Sequence, residues 1–352
     1  MTNFYDEWLG YWDAAQAERQ AAKKVIHAEE LEWVETRQDA RAALMIAPDT
    51  GFRTWGSVSM LAEIPAGAHT GRHARGEEVI HVVGGTGFSV IDGYRYDWHD
   101  GSTIAIPFGV SRQHFNTGEE AATYLSTTPV HLERFVGIHH LEQYEDWGTT
   151  TTEPDVEHSP NGDFDLQNRR RVLHIEDATD RTKNVKPGAP PPDVDADHPL
   201  VFGTSAGMTA EIQALHKSRV LEFMSARESK NGFDLTTVEI SNILMDDPNT
   251  YGGTHAHMEA LLYILDGEGY SIIDGEKIPW KRGSSLHVQG PQTVHQHVNT
   301  GDVPTQMLRI GNGVRYLFEN AAKESIPYLY LGFKGKGEPV PLMGDKGRVV
   351  PV

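Results

Sequence analysis

The sequence of 352 residues contains no cysteine. Disulfides, thiolate metal ligands and a cysteine nucleophile are therefore excluded. Positive charge is scarce: 31 Lys and Arg stand against 50 Asp and Glu, for a net charge of −19. Nucleic acids and anionic membrane surfaces both demand a basic face, so neither is an expected partner. No stretch is long and apolar enough to span a bilayer. The opening residues, Met1 to Trp8, lack the basic-then-apolar pattern of a secretion signal, which makes the cytoplasm the expected location. Two catalytic signatures are missing as well: there is no glycine-rich phosphate loop ending in Lys-Ser or Lys-Thr and no Gly-x-Ser-x-Gly elbow.

What is present is a repeat. Gly87-Phe-Ser-Val-Ile-Asp-Gly-Tyr-Arg-Tyr-Asp-Trp98 returns as Gly269-Tyr-Ser-Ile-Ile-Asp-Gly-Glu-Lys-Ile-Pro-Trp280. Upstream, His73-Ala-Arg75 corresponds to His255-Ala-His257. Downstream, Arg112-Gln-His114-Phe-Asn116 corresponds to His295-Gln-His297-Val-Asn299. The second copy thus offers His255, His257 and His295 where the first offers His73, Arg75 and Arg112. A guanidinium neither gives up its proton nor ligates a metal. One half reads as a metal site and the other as its disabled duplicate. His69, His81 and His114 remain in the first half, but two fixed cations work against a metal there.

The pattern along the chain predicts five segments: a helical arm over 1–57, a barrel over 58–146, a linker over 147–232, a second barrel over 233–320 and a tail over 321–352. Trp8, Trp12, Ala15 and Arg19 fall near helical spacing, and a second periodic stretch covers Glu29 to Leu44. The arm is expected to pack on the molecule or on a neighbouring subunit. Both barrel segments are short apolar runs broken by glycine and proline, the signature of an all-β barrel. Asp92-Gly93 and Asp274-Gly275 mark hairpin turns at matching places. Tyr328, Tyr330, Phe333 and the final Val-Val-Pro-Val are expected to pack across the first half or a partner.

Both halves resemble the cupin superfamily, in which a His-x-His motif is followed by a glycine and then by a second motif with a histidine ahead of an asparagine. The resemblance implies a bicupin: two tandem antiparallel β-barrels, each with an open mouth. On a strand, His255 and His257 point to one face, and His295 arrives from a neighbouring element. Three imidazoles leave the far side of a divalent ion open. The glutamate that many metal cupins carry in the first motif is replaced by Leu262. Glu259 comes earlier and is read as a residue beside the metal or at the mouth.

Among cupins, a duplicated barrel with three histidines and no glutamate resembles the gentisate and salicylate 1,2-dioxygenase family. That resemblance implies one Fe(II) per chain in the second barrel, held by His255, His257 and His295. It implies as substrates O2 and an aromatic 2-hydroxy acid, opened between the carboxylate-bearing and hydroxyl-bearing carbons. It assigns substrate contact and catalysis to His297, and it implies a homotetramer. The chain departs from the family by keeping its intact ligand set in the second barrel, and Leu262 stands where an arginine grips the substrate carboxylate. Arg309 is the candidate replacement, with His287 and Gln292 expected to line the mouth. The alternatives are an isomerase or diketone-cleaving oxygenase with the same ligands, and a non-catalytic bicupin.

Overall fold

Val79-Ile-His-Val-Val83 lacks polar alternation because its strand, Glu78–Gly84, is covered on both faces. Val79 packs into a core shared by the two halves, while Ile80 and Val82 turn into the first barrel. Leu261 and Leu262 divide in the same way in the strand Ala260–Asp266. Strands buried on both sides read as continuous apolar runs. The computed structural model describes residues 3–179, 220–222, 233, 235, 237–244, 246–257, 259–290, 293–312, 329–332 and 335–339.

Each half pairs a six-stranded sheet with a seven-stranded one. In the first barrel the six-stranded order is Val172–Leu173, Thr103–Ile106, Glu78–Gly84, Ala122–Thr128, Val58–Ile64, Arg41–Ile46. In the second it is Val25–Ile26, Ser285–Val288, Ala260–Asp266, Gln306–Asn312, Val238–Leu244, Val220–Glu222. The orders match position by position, with one exchange. Val25–Ile26 precedes the first barrel but pairs with the second, while Val172–Leu173 precedes the second but pairs with the first. Two buried carboxylates brace the same exchange. Glu77 accepts from the Thr237 backbone N–H at 2.6 Å, and Glu259 accepts from that of Trp55 at 2.8 Å.

Both hairpin turns adopt the conformation that their sequence predicts. Asp92 and Gly93 have φ of 51° and 81°, and Asp274 and Gly275 have 50° and 84°, the left-handed pair of a two-residue turn. The glycine that opens each repeat is required by close approach. A Cβ on Gly87 would lie 2.0 Å from the Phe115 carbonyl, and one on Gly269 would lie 2.0 Å from that of Val298.

Two expectations are corrected. A helix covers Phe4–Ala21, but Glu29 to Leu44 is not helical. After a short turn at Ala28–Glu30 the chain enters the strand Arg41–Ile46, which pairs along Val58–Ile64. Ladder hydrogen bonds and burial of Ala42, Ala43, Met45 and Ile46 outweigh the local helical spacing. In the tail, Leu329–Gly332 and Gly335–Lys336 pair with Thr254–Ala256 and Thr250–Tyr251 of the second barrel, not with the first half. They repeat the pairing of Leu141–Glu145 and Gly148–Thr149 on the first barrel. Tyr328, Phe333 and residues 349–352 lie outside the described residues. Among the described residues, no helix is long and apolar enough to cross a membrane.

Candidate metal centre in the second barrel

The strand His295–Asn299 is buried throughout. His295 and His297 are two apart and share a face. Their cross-strand partners Ile273 and Ser271 lie on the same face, and Ile273 belongs to the core inside the second barrel. His255 stands directly opposite His295 in the adjoining strand. The His257 ring, 3% exposed, lies 4.6 Å from the His295 ring at 85°. Two imidazoles bound side by side to one ion at about 2.1 Å have ring centres roughly 4.5–5.2 Å apart, so the separation suits a shared cation. The His295 ring also presents the right atom. Its Nδ1 donates to the Thr293 carbonyl at 3.0 Å, which puts the proton of the neutral ring on Nδ1 and the lone pair on Nε2, at the other side of the ring.

His297 is held differently. Ser271 Oγ accepts from Trp280 Nε1 at 2.9 Å and lies 2.7 Å from His297 Nδ1. With one lone pair used by the indole, the wholly buried serine satisfies its own proton by donating it to Nδ1. In that arrangement the proton of the neutral ring sits on Nε2, at the other side of the ring from the serine. The serine and tryptophan lie inside the repeat, so their signal was visible in the sequence as Gly-x-Ser leading to Trp. Asn299 has a structural duty: it donates to the carbonyls of Asp246 and Val303 at 2.9 and 2.8 Å.

Arg309 faces the barrel interior. It lies opposite Leu262 and shares a face with Met307, both part of the inner core, and it is 8% exposed. His287 does not join it. Leu286 and Val288 point into the barrel, so His287 points out, between the barrels, with its ring 5.9 Å from that of Phe52. Its Nε2 meets Glu259 Oε1 at 2.9 Å, and both side chains are fully buried. The sequence expectation that His287 lines the mouth is corrected by strand parity, and Glu259 likewise turns away from the histidines. Gln292 lies outside the described residues.

The first barrel shows what replaced the ligands. Arg112 is completely buried, and its Nε and Nη2 donate to Glu78 Oε2 at 3.1 and 3.0 Å. Arg75 pairs with the same carboxylate, and Ser126 donates to it at 2.5 Å. Burial works to raise the Glu78 carboxyl, but Arg75 and Arg112 together hold it well below the usual carboxylate range. Burial, then Arg75 and Arg112, push His73 down to about 3. Its Nδ1 donates to the Gly71 carbonyl, and its buried Nε2 has no hydrogen-bond partner. His81 lies on the other face of the sheet, opposite Leu125 of the core between the barrels. The remaining cavity, lined by Ile80, Trp98, His114 and Tyr124, is about 10 Å³. That holds one water and no aromatic ring. Sequence reading missed Glu78, although its place three residues after Arg75 was a visible cue.

Taken together, the duplicated barrels and their shared core are those of a bicupin. The cupin domain family matches residues 60–128 and 243–311, one segment in each half. Salicylate 1,2-dioxygenase from Pseudaminobacter salicylatoxidans superposes with a TM-score of 0.57 at 11% identity, over 80% of this chain and 78% of that one. A gentisate adduct of salicylate 1,2-dioxygenase gives 0.59 at 11% identity, over 92% and 94%. A deletion mutant of Bacillus subtilis oxalate decarboxylase gives 0.51 at 13%, over 82% and 76%. In sequence, an uncharacterized protein of Methanocaldococcus jannaschii is 37% identical over 54 residues, 15% of this chain. That match spans 42% of the relative's length.

Proposed function

We propose that the protein is an Fe(II)-dependent ring-cleaving dioxygenase acting on a 2-hydroxybenzoate, with its single metal in the second barrel. The observation that carries the reading is the contrast between the two barrels at one position. Where the first has a buried Arg112 neutralised by Glu78, the second has His295, its proton held on Nδ1 by the Thr293 carbonyl, beside the His257 ring. His255, His257 and His295 would hold the ion. A redox-active ferrous ion with three neutral ligands supplies Lewis acidity and electron transfer to O2, and it keeps its full double charge for a chelating anion.

The chain's own residues then define the substrate. Arg309, whose strand position shares the inner face with Leu262, would bind the carboxylate. His297 offers an Nε2 proton to the phenolate oxygen and holds it by hydrogen bonding as ring electrons are redistributed. Leu262, Ile264 and Trp280 keep the inner wall apolar and exclude water. The likeness to salicylate 1,2-dioxygenase, including its gentisate adduct, supports the same substrate class. The helix Phe4–Ala21 buries none of its residues and exposes Phe4, Trp8, Leu9 and Trp12, which supports the reading of a homo-oligomer.

The test is metal analysis of the purified chain followed by oxygen-electrode assays with gentisate, salicylate, 5-nitrosalicylate and 1-hydroxy-2-naphthoate. One iron per chain, lost in His257→Ala and His295→Ala, together with oxygen uptake on at least one of these acids, is the expected result. Stoichiometric iron with no oxygen uptake on any of them overturns the substrate class. Failure to bind iron after ferrous reconstitution overturns the whole reading.

A further inference from the structure

A second group of metal-ligating side chains lies on the outside of the first barrel, away from either set of repeat histidines. His99 ends the strand Tyr94–His99, while His174 and Glu176 flank the start of the short helix Ile175–Thr179. One ligand atom from each residue lies within 4.8 Å of those from the other two. The two imidazoles stack with centres 4.7 Å apart and planes 12° apart.

The hydrogen bonds assign the protons. His99 Nδ1 lies 2.9 Å from the Asp100 carbonyl, which only accepts, so Nδ1 carries a proton. His99 Nε2 then presents a lone pair to Glu176 Oε1 at 3.1 Å. Two lone pairs do not hold each other at that distance; a cation belongs between them. A proton on His99 would serve, and so would a divalent ion shared with His174, whose Nε2 lies 3.9 Å from Asp163 Oδ1. One divalent ion would satisfy His99, His174 and Glu176 together. Ligands around a tetrahedral zinc at about 2.1 Å lie roughly 3.3–3.5 Å apart, between the two measured separations. The far nitrogen of His99 is oriented as in ligating histidines, with Nδ1 on a carbonyl, and His174 Nδ1 lies 2.9 Å from Ser102 Oγ.

We propose that His99, His174 and Glu176, with Asp163 beside them, form a structural divalent-metal site of the zinc class, independent of the second barrel. Two imidazoles with carboxylates select zinc, cobalt or nickel over magnesium or calcium. The ion would fasten the helix Ile175–Thr179 to the end of the strand Tyr94–His99. That same stretch of chain has just added Val172–Leu173 to the edge of the first barrel, so the site would lock the strand exchange in place.

The test uses the full chain, freed of metal by chelation and titrated calorimetrically with zinc. Glu176→Gln keeps the side-chain shape at an exposed position and removes the ligand charge; His174→Ala removes a ligand outright. The expected result is one zinc-binding event weakened by about tenfold or more in both variants, with zinc raising the Tm of the wild type by more than that of Glu176→Gln. Binding in the second barrel is separated by its sensitivity to His257→Ala. If every zinc-binding event has the same affinity in wild type and Glu176→Gln, the site does not exist, whatever the second barrel holds.

Discussion

Arg112 binds Glu78 through two hydrogen bonds, at 3.1 and 3.0 Å to one carboxylate oxygen, and neither side chain has any exposure. Removing one member of such a pair strands the other charge in an apolar interior. Glu78→Gln leaves two guanidiniums facing each other without a counter-charge. The expected loss is about 3–5 kcal/mol of stability, read from a urea unfolding curve. An unchanged midpoint would show that the cluster is not what holds the first barrel.

The same position offers a gain-of-function experiment. Arg75→His, Arg112→His and Glu78→Ala together give the first barrel the residue types that the second has at His257, His295 and Ala260. The triple variant is expected to bind one more metal ion per chain than the wild type, by elemental analysis. No gain from a folded variant would count against the equivalence of the two sites.

His297 Nδ1 lies 2.7 Å from Ser271 Oγ, and the ring is read as a donor through Nε2 and not as a ligand. His297→Gln is expected to keep its iron while turnover falls by about 10²–10⁴. Ser271→Ala, which leaves the ring but frees its tautomer, should fall between that variant and the wild type. Loss of iron from His297→Gln would reassign the residue to the metal.

Arg309→Met removes the guanidinium but keeps most of the apolar stem. Losing a charge-assisted bond to a carboxylate of about 2–3 kcal/mol corresponds to a KM raised about 30-fold or more. Arg309→Lys is expected to recover only part of this, because a point charge does not reproduce a bidentate fork. A KM that stays level in both variants places the carboxylate elsewhere.

The first barrel also fixes how stability follows pH. Burial pushes His73 down to about 3, and His81 and His114 down to about 4, from an ordinary 6.5. Depressed values mean that the unfolded chain binds these protons first, so their contribution is complete above pH 6.5 and is lost as pH falls toward about 4. Asp39 opposes them. Burial raises it to about 7 although Tyr124 donates to it, and a proton retained only by the folded chain favours folding as pH falls. Three histidines against Asp39 leave a net fall in stability on mild acidification, and Glu133, Asp163 and Asp274, which burial also raises, oppose it as the pH falls further. The slope is roughly 1.4 kcal/mol per pH unit for each unbalanced proton. Denaturation midpoints between pH 7 and 4.5 measure it, and a flat or rising curve would contradict the assignment.

Much of the architecture was legible before any coordinates. The Asp-Gly turns, the apolar runs and the paired Gly-x-Ser…Trp segments each announce a barrel, because period-two patterning and left-handed turn residues are local properties. Glu29 to Leu44 misled for the opposite reason: its helical spacing lost to a partner strand, Val58–Ile64, that no local window contains. At the site, the loss of imidazoles at Arg75 and Arg112 was plain. The compensation by Glu78 and the relay from Trp280 through Ser271 to His297 required knowing which side chains share a face.

The order of residues alone determined that this chain is a duplication and which copy kept its nitrogen donors, since composition at matched positions survives without a structure. Tertiary structure decided which side of each strand faces the barrel. A one-residue step reverses the face, and that step sent His287 and Glu259 between the barrels while leaving Arg309 inside. It also decided that the segment leading into each barrel completes the other, a pairing of Val25 with Leu286 and of Val172 with Ile104 whose reward appears only when both sheets are present to be joined.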